Sequence, residues 1–166
     1  MTFKPGEWVV HCTHGLGQIV DIEERVFDTR KALFYSIRIN DLTLWVADDE
    51  NIKTRLRYPV NEDTFHVLFQ MLASPPEALP SDRRERNQYL LEALRDGSAE
   101  SLCRVIRDLS AYRKEKSWSD YDNELIRRTQ RTLVGEWSHV FSIAPGEAEV
   151  ELHKLLAHYG RKEKGA

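Results

Sequence analysis

At 166 residues, 41% hydrophobic and 31% charged, the chain has the composition of a folded protein with one ordinary domain or two small ones, not of a disordered segment. Its net charge of -3 excludes a uniformly basic, histone-like nucleic-acid binder but leaves room for a local basic face. No apolar run approaches the roughly 18 residues of a membrane span, and "MTFKPGEW" lacks the charged and apolar parts of a secretory signal, so a cytoplasmic location and no membrane partner are expected.

The first 58 residues read as short strands. "EWVVHCT", "GQIVDIEER", "ALFYSIRI" and "LTLWVAD" are rich in β-branched and aromatic residues, with the Gly15–Gly17 bend, the polar "FDTRK" and Asn40–Asp41 between them. In "FYSIRIN", Tyr35, Ile37 and Ile39 alternate with Phe34, Ser36 and Arg38, which gives one apolar face. Four or five such strands predict a small SH3- or Tudor-like antiparallel barrel. Trp45 falls out of phase with Leu44 and Val46, on the opposite face, where it could anchor a partner.

His11, Cys12 and His14 raise the question of metal, and Gly15 and Gly17 that of a phosphate loop. Zinc needs four converging ligands, and on a strand the adjacent His11 and Cys12 point to opposite faces, so no metal site is expected. "HGLG" lacks the lysine of a phosphate loop and precedes a strand, not a helix; its glycines suit a tight bend. The other cysteine, Cys103, is distant, so two reduced thiols and no disulfide are expected.

Beyond Pro59 the period becomes helical, which gives an α+β chain with units 1–58 and 59–166. Asn61 caps a helix striped by Phe65, Leu68, Phe69 and Leu72, and "SPPEALP" ends it. Ser81 is the expected cap of a second helix that Gly97 closes. Ser98 opens a third through Leu102, Val105, Ile106 and Leu109, and Ser119 a fourth to about Phe141. Pro145 suits the first turn of a fifth, with "GRKEKGA" as a frayed tail. The result is a bundle of about five helices. Tyr112, Trp118 and Tyr121 are expected to pack at the junction of the third and fourth.

No hydrolase elbow, metalloprotease or nucleotide-binding fingerprint is present, the acidic "DDE" at 48–50 reads as a solvated loop, and neither an enzyme nor a cofactor is expected. Three basic groups stand out: Arg83, Arg84 and Arg86; Arg113, Lys114 and Lys116; Arg127, Arg128 and Arg131. Acidic residues interleave with all of them. A salt-bridged, solvated surface and a face for DNA phosphates both fit this pattern.

"FKPGEWVVHCTHGLGQIVDIEER", "LTLWVADDEN" and "VIRDLSAYRKEKSWSDYDNELIRRTQRTLVGE" together resemble the CarD/CdnL family of bacterial transcription regulators. The first stretch is similar to the polymerase-interacting domain shared with transcription-repair coupling factor. The resemblance implies a protein that docks on the RNA polymerase β subunit, contacts promoter DNA at the upstream edge of the bubble, and modulates open-complex stability; the modest net charge suits weak DNA contact, and a monomer is expected. The resemblance assigns polymerase contact to Arg25 and to Trp45, whose position is basic in some members. It assigns DNA contact to Arg86 and Arg128, with Arg84, Lys114 and Lys116 as neighbours. Arg83 occupies the position where the family carries a tryptophan wedge, and arginine cannot replace base stacking as that ring does. The competing expectation is an adaptor whose barrel binds another partner and whose helices bind no DNA.

Overall fold

A computed structural model of the chain describes residues 2–164, with side chains through 159. It divides into two compact units, one ending at Pro59 and one beginning at Val60.

The first unit comprises β1 (Trp8–His11), β2 (Gly15–Phe27), β3 (Arg30–Ile39), β4 (Leu42–Ala47), a single helical turn α1 (Ile52–Arg55) and β5 (Leu56–Arg57). The strands form one antiparallel sheet in the order β4-β3-β2-β1-β5. Val9, Ile19, Tyr35, Ile37, Ile39 and Val46 fill its concave side, with Phe3, Ile52 and Leu56 closing over them. A register shift between Ile19 and Asp21 bends β2, as a bulge does, and helps to curl the sheet into the expected Tudor-like form.

The polar "FDTRK" stretch is shorter as a turn than its composition suggests. Only Asp28 and Thr29 lie outside the strands, both with positive φ (44° and 71°), the requirement of the two-residue hairpin turn that matches strand twist. The strands therefore continue to Phe27 and from Arg30, so the hairpin carries Val26, Phe27 and Leu33 as exposed apolar side chains.

The bend at Gly15–Gly17 has a steric cause. Gly15 adopts φ 85°, and a Cβ on Gly17 would lie 2.4 Å from Ile39 Cγ1 and 2.8 Å from the Arg38 carbonyl oxygen. β2 can approach β3 this closely only without a side chain. His11 completes the bend: its Nδ1 accepts the backbone N–H groups of Thr13 (3.1 Å) and His14 (3.2 Å).

The second unit holds α2 (Glu62–Leu72), α3 (Arg83–Ala93), α4 (Ala99–Tyr112), α5 (Asp120–Phe141) and α6 (Pro145–Lys164). Asn61, Ser98 and Ser119 cap α2, α4 and α5 as expected, but Asp82, not Ser81, caps α3 by accepting from the Glu85 N–H. An aspartate is as good a cap as serine, and the Ser81 carbonyl is engaged elsewhere. The tail expected to fray is helical as far as Lys164; Gly165 and Ala166 lie outside the described residues.

Helix α4 is buried on two sides. Leu102, Cys103 and Ile106 join Phe65, Leu68, Leu133, Trp137 and Leu152 in the larger core, while Val105 and Leu109 pack with Leu79, Leu90, Leu125 and Ile126 in a smaller one. The smaller core seats α3. Tyr121 was expected at the α4–α5 junction but is 44% exposed, whereas Trp118 packs there. Among the described residues no helix is long and apolar enough to cross a membrane.

Candidate docking face and nucleic-acid interface

Strand register decides which residues share a face. Arg25 pairs with Ala32 across β2 and β3, Phe27 with Arg30, and Ser36 with Trp45 across β3 and β4. These positions lie on the outer face, away from Tyr35 and Ile37. There the Arg25 guanidinium sits 5.0 Å from the centre of the Trp45 ring and 5.9 Å from that of Phe34. Phe27 extends the aromatic surface at 5.7 Å from Phe34. Glu23 accepts from Arg25 at 3.0 Å and helps to hold it in place.

The structure thus brings Arg25 and Trp45 into one constellation. Phe27 and Trp45 are about half exposed, on a face where a partner would cover them. Sequence reading missed Phe27 and Phe34. Phe27 shares the alternation phase of Arg25 along β2, but Phe34 joins them only through the β2–β3 register, which the sequence does not show.

In the helical unit one expectation is overturned. Arg86 is fully buried and cannot contact DNA. Its Nε donates to both Asp122 carboxylate oxygens (3.1 Å each), and Nη2 donates to Asp122 Oδ2 and the Ser117 carbonyl (2.8 Å each). Nη1 donates to the Pro80 and Ser81 carbonyls and the Tyr112 hydroxyl, while the guanidinium lies over the Tyr112 ring at 4.7 Å. A sequence signal existed: Arg86 stands four residues before Leu90, on the buried stripe of α3.

Asp122 has a second duty, since it also accepts from the N–H and hydroxyl of Ser119 in a capping box at the start of α5. Burial alone would raise the Asp122 carboxyl, but the hydrogen bonds from Arg86 and Ser119 outweigh it and hold it below the ordinary carboxylate value. The hydrogen bond from Arg86 to Asp122 correspondingly raises the guanidinium further, beyond any accessible pH.

This network joins three pieces of chain. Ser81 and Ser117 both lie within hydrogen-bond reach of one guanidinium, so the first turn of α3 is clasped to the loop between α4 and α5. Arg83 and Arg84 are exposed on that first turn, and Lys114 and Lys116 are exposed on that loop. Four of the sequence-predicted cations are therefore gathered on neighbouring segments at a helix N-terminus, whose unpaired N–H groups add positive potential. Arg128 is half-buried on α5, about 120° around the helix from Asp122, and no contact of the Arg86 network reaches it.

The relatives of the chain map onto the same two units. The family model described as "CarD-like/TRCF RID domain" matches residues 3–62, which hold the sheet, and that described as "CarD, C-terminal domain" matches residues 67–153, which hold the helices. Over 140 residues the chain is 25% identical to a Bacillus subtilis (strain 168) protein named "Putative transcription factor YdeB", across 81% of this chain and 89% of that one. Matched in order through both units, the chain belongs to the CarD family of transcription regulators.

Proposed function

We propose that the chain is a non-catalytic regulator that docks on the RNA polymerase β subunit through the outer face of its sheet. Its helical unit then contacts promoter DNA at the upstream edge of the bubble and modulates the lifetime of the open complex. The observation that carries the docking half is the stacking of Arg25 on Trp45 and Phe34, an exposed aromatic and cationic cluster held in place by Glu23. Tryptophan and arginine are the residue types that most often dominate interface energies.

The DNA half is supported by Arg83, Arg84, Lys114 and Lys116 on the two segments clasped by Arg86. These side chains can neutralise phosphates without reading bases, which suits weak, sequence-independent contact. Arg83 can reach a phosphate or a narrow minor groove but cannot fill a vacated stacking position.

Co-precipitation with nuclease-treated polymerase tests docking. Trp45→Ala and Arg25→Glu should each weaken capture of the β subunit by about 2 kcal/mol, some thirtyfold. Capture unchanged by both substitutions overturns this reading. In a promoter-opening assay Arg83→Trp should lengthen open-complex lifetime, and no change would show that the missing ring is not what limits the protein.

A further inference from the structure

A cleft of about 690 Å³ opens between the C-terminal end of α2, the outer side of α4 and the late part of α6. Among the described residues its charged lining is all of one sign: Arg107, Arg113 and Lys114. The neighbouring cleft, beyond Pro76, differs in this respect, because Glu77, Asp108 and Glu115 there face Lys116. The positive excess is local to the first cleft.

Arg107 is the built part of the site. Its side chain is 10% exposed, with Nε on Asp108 (2.9 Å) and Nη1 on the Ser74 hydroxyl (2.9 Å). Asp108 in turn accepts the Glu77 N–H at 2.9 Å, so the guanidinium is held on two sides. Among the described residues Nη2 has no hydrogen-bond partner. A nearly buried arginine held at Nε and Nη1, with Nη2 left to a cleft it lines, is a preorganised donor for an anion. Lys114 at the rim makes no ion pair among the described residues, and Arg113 leans over the Trp118 ring at 5.9 Å.

The remaining walls are apolar: Leu72, Pro76 and Leu156, with the Tyr159 ring among them. The volume falls within the roughly 300–1,000 Å³ of small-molecule clefts and far exceeds what an inorganic phosphate fills. Arg113 and Lys114, beside the ion-paired Arg107 with its remaining donor, call for a multiply charged group, and the apolar wall with its aromatic ring calls for a flat, weakly polar body attached to it. We propose that this cleft binds a nucleoside polyphosphate, its phosphates on Arg107 and Lys114 and its base against the Leu72–Leu156 wall. The proposal is independent of the polymerase-docking reading, and a failure of either leaves the other standing.

The test is calorimetric titration of the full chain with ATP, with adenosine and inorganic triphosphate in parallel, and an amide chemical-shift map of the ATP complex. ATP should bind saturably at one site and at least roughly tenfold more tightly than either fragment, with the largest shifts at Ser74, Ser110 and Lys114. Lys114→Ala, an exposed change that spares the fold, should weaken ATP by about tenfold, the scale of one charge-assisted contact. Ser110→Trp should close the cleft and abolish binding, while Lys31→Ala on the sheet should leave affinity unaltered. Absence of saturable binding, triphosphate binding as tightly as ATP, shifts centred on Arg83 and Arg84, or affinity indifferent to Ser110→Trp each overturns the proposal.

Discussion

His11 shows how a single residue at the bend acts through its protonation state. Its Nδ1 can accept the Thr13 and His14 N–H groups only while unprotonated, and burial, with His14 and Arg55 nearby, lowers its pKa to about 4. The unfolded chain binds this proton near the ordinary histidine value of about 6.5. Between those two values the unfolded state carries more protons, so stability rises with pH from about 4 to about 6.5 and is then level. An NMR titration should place His11 well below the ordinary histidine value, and His11→Ala should flatten the dependence of stability on pH in that window. At the basic cluster, residue-scale forces oppose the proposed DNA contact. Arg84 stands in the first turn of α3, where the helix dipole disfavours a cation by about 0.3–1 kcal/mol. Arg84→Ala should therefore leave thermal stability equal or slightly higher, while weakening DNA binding and lowering its salt slope by about 0.9. A loss of stability in thermal melts would show that the arginine serves the fold.

At the scale of elements, the clasp between α3 and α5 matters most. Removing one partner of a buried, hydrogen-bonded ion pair costs about 3–5 kcal/mol, because the other charge is left without compensation. Asp122→Asn should destabilise the helical unit by that order in chemical denaturation. Arg86→Met combined with Asp122→Leu should recover much of it and yet lose DNA contact, because the Ser117 and Ser81 carbonyls are no longer held together. Full DNA contact in that double variant would rule out a positioning role for Arg86. With Asp122 held below its unfolded value, its contribution is complete above about pH 4 and declines as pH falls through the folded value. The same clasp marks what the sequence could convey. Caps at Asn61, Ser98 and Ser119 were legible because the side chain and the N–H it satisfies lie three residues apart. Trp45's outward placement was legible because strand alternation is equally local. The pairing of Arg86 with Asp122 spans 36 residues, and nothing local distinguishes Arg86 from exposed Arg83 and Arg84 except its phase with Leu90. The Arg25–Trp45 stack was out of reach for the same reason, since it depends on two strand registers at once.

At the scale of the whole molecule, the two proposed contacts are joined by very little free chain. The Tyr58 hydroxyl donates to Glu7 of the sheet unit at 2.7 Å, and the Val60 N–H donates to the buried Glu136 of α5 at 2.9 Å. Pro59 alone separates these two anchored residues, and its ring fixes one of its own backbone dihedrals. Once the sheet is docked on polymerase, such a short tether keeps the basic segments at a high effective concentration near the DNA, so weak phosphate contacts suffice. Lengthening the tether dilutes them. Insertion of a flexible Gly/Ser segment of about a dozen residues after Pro59 should leave capture of the β subunit unchanged, because every residue proposed to dock lies before it. Local concentration beyond the matched span falls roughly as the −3/2 power of linker length, so the DNA-dependent part of promoter-complex lifetime should fall several-fold. Isolated DNA binding, measured without polymerase, should stay the same in the inserted variant. If promoter-complex lifetime also stays the same, the helical unit works without being held close by docking, and the tethered mechanism is wrong.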